Sequence, residues 1–231
     1  MITEPPREPH AEIDPAAFVA CVQPLLAVKD AQGLHALLSS RYTGAQITAL
    51  LHSPHTDARK VAALAISLVG TTCCLPKLAP LLKDPDPMVN QLAEHAMWSI
   101  WFRTGRTPEA NKELCRGTKA LNNRDFQKAV EHIDRALAED PAFAEAYNQR
   151  AIVLYLQERY EESVEDCRRA VEHMPLHFGA WAGLGHCHAH LGRLREAVDS
   201  YRRALSINPH LDGIPQSIHE LKKRIDLEGA A

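Results

Sequence analysis

The sequence predicts an all-α fold, a solenoid of helical hairpins stacked along the chain. Three observations carry this. Prolines close three similar segments, AVEHIDRALAEDP at Pro141, SVEDCRRAVEHMP at Pro175 and AVDSYRRALSINP at Pro209, in a constant 34-residue register. Apolar residues within these units recur at helical intervals. A looser 31-residue register precedes them, laying Leu50-Leu51 over Leu81-Leu82, Ala62 over Ala93 and Ala65 over Ala96. A single hairpin of this size cannot bury its own apolar face, so the units must stack.

The N-terminal MITEPPREPHAEID is polar and proline-bearing, and residues 1–14 are expected to form a flexible tail. It lacks the basic start and apolar core of an export signal. Residues 14–42 read as helical through Phe18, Val22, Leu25 and Leu26, then Leu34, Leu37 and Leu38, a degenerate terminal repeat. Two clearer repeats come after it. In each, the leucine pair closes one helix, a Ser-Pro or Asp-Pro segment turns the chain, and the alanine face belongs to the next helix. This array is expected over residues 15–104, with Trp98, Trp101 and Phe102 at its junction with the 34-residue units. Thr107 is a natural N-cap and Pro108 a natural first helical residue, so a new helix begins there.

Residues 107–210 divide into three units, about 110–143, 144–177 and 178–211. In the third, Trp181, Leu184, Gly185, His188 and Leu191 form one helical stripe. A break at Gly192-Arg193 separates it from a second stripe, Ala197, Tyr201 and Ala204. Small residues recur where two helices of a unit must approach, as in the columns Ala129/Ser163/Ala197 and Ala136/Ala170/Ala204. After Pro209, residues 212–227 carry Ile214, Ile218, Leu221 and Ile225 on one face, with Lys222, Lys223 and Arg224 between them. That pattern suits a terminal capping helix.

Trp181-x-x-Leu184-Gly185-x-x-His188, Ala197-x-x-x-Tyr201-x-x-Ala204 and Pro209 resemble the tetratricopeptide repeat signature, with His188 where Tyr is usual. The second unit matches through Tyr147, Ala151, Leu154, Ala170 and Pro175. The first matches through Gly117, Ala129, Ala136 and Pro141, with Glu113 and Arg116 where large apolar residues are expected. The earlier array, above all LLKDPDPMVNQLAEHAMWSI, resembles HEAT-type repeats of a compact variety. Together the resemblances imply a right-handed α-solenoid: a HEAT-like array, then a tetratricopeptide array, then the cap.

Composition excludes several classes. The net charge is −3, and neither half has the basic surplus that binding a phosphate backbone needs, so nucleic acid is not an expected partner. No apolar run is long enough to span a membrane. Six cysteines without a disulfide framework point to reduced thiols and a cytoplasmic setting. There is no P-loop, no G-x-S-x-G and no H-E-x-x-H, and Gly183-x-Gly185 lies inside a helical signature with no strand before it. Neither catalytic residues nor a cofactor are expected, and the oligomeric state is left open.

The stretch GHCHAHLG, residues 185–192, invites a metal reading. On a helix only His186 and His190 share a face; His188 lies on the opposite side and Cys187 to the flank. Two ligands fall short of the three or four that zinc needs, and Glu145 is the nearest further candidate that the repeat geometry implies. No metal is expected.

The resemblance implies a concave groove lined by the first helix of each unit. Residues carried onto it are Leu114, Thr118 and Leu121, with Asn111 and Asn122, in the first unit. In the second they are Asn148, Ile152, Tyr155 and Leu156, with Glu145; in the third, His186 and His190, with Gly179, Ala182 and Ala189. Members that hold a chaperone's terminal carboxylate use Lys, Asn and Arg in these columns. Here Leu114, Gly179 and Gly183 replace the basic ones, so that clamp is not expected. The expected function is a non-catalytic adaptor that takes a peptide or helix of a partner protein in a mostly apolar groove. The alternatives are a subunit or lyase-like enzyme of the HEAT-like type, and a metal-handling protein using His186 and His190.

Overall fold

A computed structural model describes residues 13–229. The tail expected over residues 1–14 lies almost wholly outside them; Asp14 is the N-cap of the first helix. The described residues are helices and connecting turns, with no strand. No helix among them is long and apolar enough to cross a membrane. The chain divides into two compact units, one ending at Ile100 and the other beginning at Trp101.

The first unit opens with α1 (Pro15–Ala27), whose first amides donate to the Asp14 carboxylate, and α2 (Ala31–Arg41), capped by Asp30. They bury Phe18, Val22, Leu34 and Leu38. A capping box between Thr43 and Gln46 starts α3 (Gly44–Ala49), which tightens into a 3₁₀ turn at Leu50–His52. α4 (Thr56–Val69) then buries Ala58, Ala62, Ala65 and Ile66. In the next repeat the helix corresponding to α3 is broken. It comprises a 3₁₀ turn (Thr72–Cys74), α5 (Leu75–Leu78) and a second 3₁₀ segment (Ala79–Lys83), because Pro76 and Pro80 supply no amide hydrogen to a continuous ladder. α6 (Pro87–Trp101) closes the series; its last residue belongs to the second unit.

Arg59 and Asn90 stand 31 residues apart and do the same work. Arg59 donates to the carbonyls of Ser53 and Pro54 in the turn before its helix, and Asn90 to those of Leu81 and Asp84 in the turn before its own. Arg59 also holds the Asp84 carboxylate through two hydrogen bonds of 2.7 and 3.0 Å. Burial works against that carboxylate, but the Arg59 hydrogen bonds outweigh it and keep its pKa below the ordinary value.

In the second unit three antiparallel pairs stack in order. These are α7 (Pro108–Asn122) with α8 (Phe126–Glu139), α9 (Ala144–Leu156) with α10 (Tyr160–His173), and α11 (Phe178–His190) with α12 (Leu194–Ile207). Thr107 caps α7, accepting from the Ala110 amide at 3.0 Å. Every member of the columns Ala129/Ser163/Ala197, Ile133/Cys167/Tyr201 and Ala136/Ala170/Ala204 is buried. Opposite the middle column stand Gly117, Ala151 and Gly185. A Cβ at residue 117 would come within 2.7 Å of Ile133, and one at 185 within 2.3 Å of the Tyr201 ring. Glycine is therefore needed where the facing side chain is large, while alanine fits opposite Cys167.

A further column escaped the sequence reading. Arg124, Glu158 and Gly192, spaced by 34, all have left-handed backbones, with φ of 60°, 61° and 73°. At each turn the left-handed amide and the one after it donate back into the preceding helix. α13 (Ile214–Gly229) packs on α12 through Ile214 and Leu221, with Ile218 and Ile225 partly buried against Leu194, Val198 and Tyr201. Arg150 of α9 ties Asp134 of α8 to Asp166 of α10, and these carboxylates push its pKa above the usual value. Arg193 grips Glu161 with two bonds, linking the second and third pairs.

Of the two polar residues at apolar positions of α7, Arg116 stays exposed and Glu113 is packed by pairing. Glu113 is buried, with hydrogen bonds from Arg116 and, at 2.7 Å, with Nδ1 of His132. The His132 contact, against the cost of burial and aided by Arg116, lowers the Glu113 pKa below the ordinary carboxylate value.

Candidate functional site

The expected groove face of α7, α9 and α11 is divided in two. One part is already occupied from within the second unit, by residues leading into α7. Asn111 accepts from the Gly105 amide and donates to the Gly105 and Thr107 carbonyls. Phe102 packs on the cluster of Ala110, Leu114, Ile133 and Phe143. Trp101 is fully buried, stacked on His177 with ring centres 4.1 Å apart and edge-on to Phe178.

His177 in turn caps α11. Its Nδ1 accepts from the Ala180 amide at 3.1 Å, so Nε2 carries the proton and donates to Glu145 Oε2 at 2.7 Å. Gln149 donates to the other Glu145 oxygen at 2.6 Å, and Asn148 approaches it at 3.4 Å. Glu145 and His177 are both wholly excluded from solvent.

This arrangement corrects two of the expected groove residues. Leu114 is 0% and Asn148 3% exposed, so neither offers a side-chain surface to a peptide. Leu114 is taken into the apolar cluster and Asn148 into the polar one around Glu145. Thr118 is half-buried, its hydroxyl donating to the Leu114 carbonyl, and Leu121 is half-buried against the α7/α8 core.

The other part is open. Ile152 and Leu156 are exposed on α9, with Tyr155 half-buried between them. Across from them on α11, His186 and His190 are exposed, while His188 between them is buried. Tyr155 Oη lies 2.9 Å from His190 Nε2, and Tyr160 stacks on the His190 ring at 4.5 Å. Tyr201 Oη lies 2.8 Å from His186 Nδ1. Beyond His190 a cleft of about 300 Å³ continues between Ala189, Tyr201 and the cap residues Ser217, Glu220, Leu221 and Arg224. The cap thus borders the groove without covering the two histidines.

Tyr160, Tyr201 and the cap residues were not among the expected site residues. Tyr201 carried a signal only as a packing column, and nothing in the spacing of Tyr160 marks it. Burial, then His190, lowers the His186 pKa. Burial, then the positive charges of Arg168 and Arg193, lowers that of His188. Cys187 is buried and its thiol donates to Ser163 Oγ at 3.1 Å; burial pushes its pKa up. Among the described residues no three His, Cys, Asp or Glu side chains converge as metal ligands. Glu145, the further ligand that the repeat geometry implied, is committed to His177 and Gln149.

Comparison with known proteins agrees with the tetratricopeptide reading of the 34-residue units. Models described as "Tetratricopeptide repeat" match residues 114–174 and 179–211. Sperm-associated antigen 1 of Mus musculus is 32% identical over 114 residues, 49% of this chain and 12% of that protein. The Hsp70-Hsp90 organizing protein of Triticum aestivum is 27% identical over 114 residues, 49% of this chain and 20% of that protein. The chain therefore spans only a fifth or less of these relatives. The crystal structure of the Sgt2 TPR domain from Aspergillus fumigatus superposes with a TM-score of 0.51 at 22% identity, covering 54% of this chain and 84% of that one. The first TPR of Spaghetti (RPAP3), bound to the HSP90 peptide SRMEEVD, gives 0.50 at 19% identity, covering 51% and 94%. The second unit is an all-α solenoid that contains tetratricopeptide repeats.

Proposed function

We propose that the second unit is a non-catalytic adaptor module that binds a peptide of a partner protein along the open half of its groove. One observation carries this reading. Ile152 and Leu156, one helical turn apart on α9, are 38% and 46% exposed. Among the described residues of this unit, only Leu227 joins them as an exposed large apolar side chain. Covering the pair is worth on the order of 1–3 kcal/mol, a useful share of a peptide's affinity. The residues concerned are Ile152, Tyr155, Leu156, His186 and His190, with Thr118 and Leu121 at the margin.

The similarity to chaperone-organising proteins, and to a domain bound to an HSP90 peptide, supports peptide binding as a class. It does not extend to the acidic tail. SRMEEVD carries three carboxylate side chains, and Leu114, Gly179 and Gly183 supply no cation to meet them. The first unit we read as a compact HEAT-like array, supported by the equivalent turn-to-helix bonds of Arg59 and Asn90. Six free cysteines accord with a reducing compartment such as the cytoplasm.

The test is affinity capture with wild-type protein and a Tyr155→Ala/Leu156→Ala variant. Partners captured only by the wild type support the groove; identical sets from both reject it.

A further inference from the structure

Each groove histidine is tied to a phenol at one nitrogen, and this decides what the other nitrogen offers. Burial pushes both phenols above their usual pKa, Tyr201 to about 12, so each keeps a proton to donate. Partial desolvation of His186 favours its neutral ring, which has an acceptor nitrogen. With the phenols as donors, His186 accepts from Tyr201 at Nδ1 and His190 from Tyr155 at Nε2. A neutral imidazole that accepts at one nitrogen carries its hydrogen on the other. That leaves Nε2–H of His186 and Nδ1–H of His190, neither with a hydrogen-bond partner among the described residues.

Four residues along α11 set the Cα atoms of the two histidines about 6 Å apart along the helix axis. Same-side carbonyls of an extended chain repeat every second residue, about 6.6 Å. A bound helix has already spent its carbonyls on its own ladder, and covering these N–H groups with it would leave them desolvated and unpaired. On α9 and α11 the nearby residues Ile152, Leu156, Ala182 and Ala189 are uncharged; the charges nearest to His190, Glu220 and Arg224, lie on the cap and are of opposite sign.

We propose that both phenols donate and that His186 and His190 are the specificity residues of the groove, presenting two uncharged N–H donors to two same-side main-chain carbonyls of an extended, uncharged, apolar segment of a partner protein. This rests on the peptide-groove reading and narrows it from peptide or helix to extended peptide.

Two measurements test it. Imidazole ¹⁵N spectra of the full chain read the tautomers directly. His186 is expected as the Nε2–H form and His190 as the Nδ1–H form; the opposite form at either position overturns the proposal. Random capped peptides are then selected by display on the full chain, and the selected peptides are measured against His186→Ala, His190→Ala, His186→Gln and His190→Asn.

The selected peptides are expected to be apolar, without charge, and extended when bound by transferred-NOE spectra. Each alanine variant should weaken binding about five- to tenfold, the worth of one hydrogen bond. Glutamine at 186 and asparagine at 190 keep one acceptor for the phenol and one N–H, and should restore most of the loss. Peptides that bind as helices, that carry charge, or that lose less than twofold with both alanine variants overturn this inference. If such peptides are still abolished by Ile152→Ser and Leu156→Ser, the groove reading stands without it. Peptides indifferent to all four of these substitutions, or no selected peptide at all, remove both.

Discussion

The Tyr201 ring occupies the space where a Cβ on residue 185 would sit, with its nearest carbon only 2.3 Å from that position. Gly185 thus sets how closely α11 approaches α12, and it also sets where the Tyr201 hydroxyl meets His186. Gly185→Ala is expected to destabilise the second unit by about 1–3 kcal/mol, the usual cost of overpacking. Gly183→Ala, which meets only Cys167 Sγ at 3.0 Å, should cost clearly less. Denaturant melts of the two variants check the order; equal costs would refute the packing account.

Two of the three left-handed turn residues are not glycine. Arg124 and Glu158 hold φ near +60°, a conformation that costs an L-residue about 1 kcal/mol. Arg124→Gly and Glu158→Gly are each expected to raise stability by roughly 0.5–1 kcal/mol, after the extra chain entropy of glycine is subtracted. Gly192→Ala should lower it by about 1 kcal/mol. Chemical denaturation of the three single variants is the check.

Glu113 is ionised while buried, and its pKa lies below the ordinary 4.5. A depressed native pKa means that its contribution to stability is complete above 4.5, where the carboxylate is charged in both states. The contribution is lost as pH falls further, through the native value. Stability of the second unit should therefore decline below pH 4.5. Glu113→Gln should blunt that decline while costing stability at neutral pH. Thermal melts across pH 3–7 on both proteins decide it, and an unchanged acid limb would remove Glu113 from the account.

The His186 pKa is lowered, first by burial and then by His190. The ring therefore stays neutral down to its ordinary value of 6.5 and charges only below it. Tyr155, Tyr201 and His190 are the groups around it, and of these only His190 can carry a positive charge. The part of the affinity for an uncharged peptide that depends on His186, read as the difference between wild type and His186→Ala, is expected to weaken below pH 6.5, because an imidazolium must be desolvated. Isothermal titration over pH 5–8 reads this, and a transition centred above 6.5 would contradict it.

The sequence by itself determined the helical repeats and their register. Proline spacing and small-residue columns act within 34 residues, and every column residue it placed inside is inside. Helical periodicity also put His186 and His190 on one side of their helix, and the family resemblance carried them, with Ile152 and Leu156, onto the groove face. Glu113 shows where such reasoning stops. A carboxylate at an apolar position is packed by Arg116 of its own helix and His132 of the next, and side-chain pairing of that kind has no periodicity.

Only the tertiary structure decided how much of the face is free and which ring nitrogens of the histidines are engaged. Leu114 and Asn148 lie in the correct columns yet are buried, one beside a cluster that takes up Phe102 and the other beside Glu145. One ring nitrogen of each groove histidine is engaged by a distant phenol, Tyr155, 35 residues from His190, and Tyr201, 15 residues from His186. Burial and hydrogen-bond pairing depend on which atoms of distant segments come into contact, and helical spacing carries no record of that.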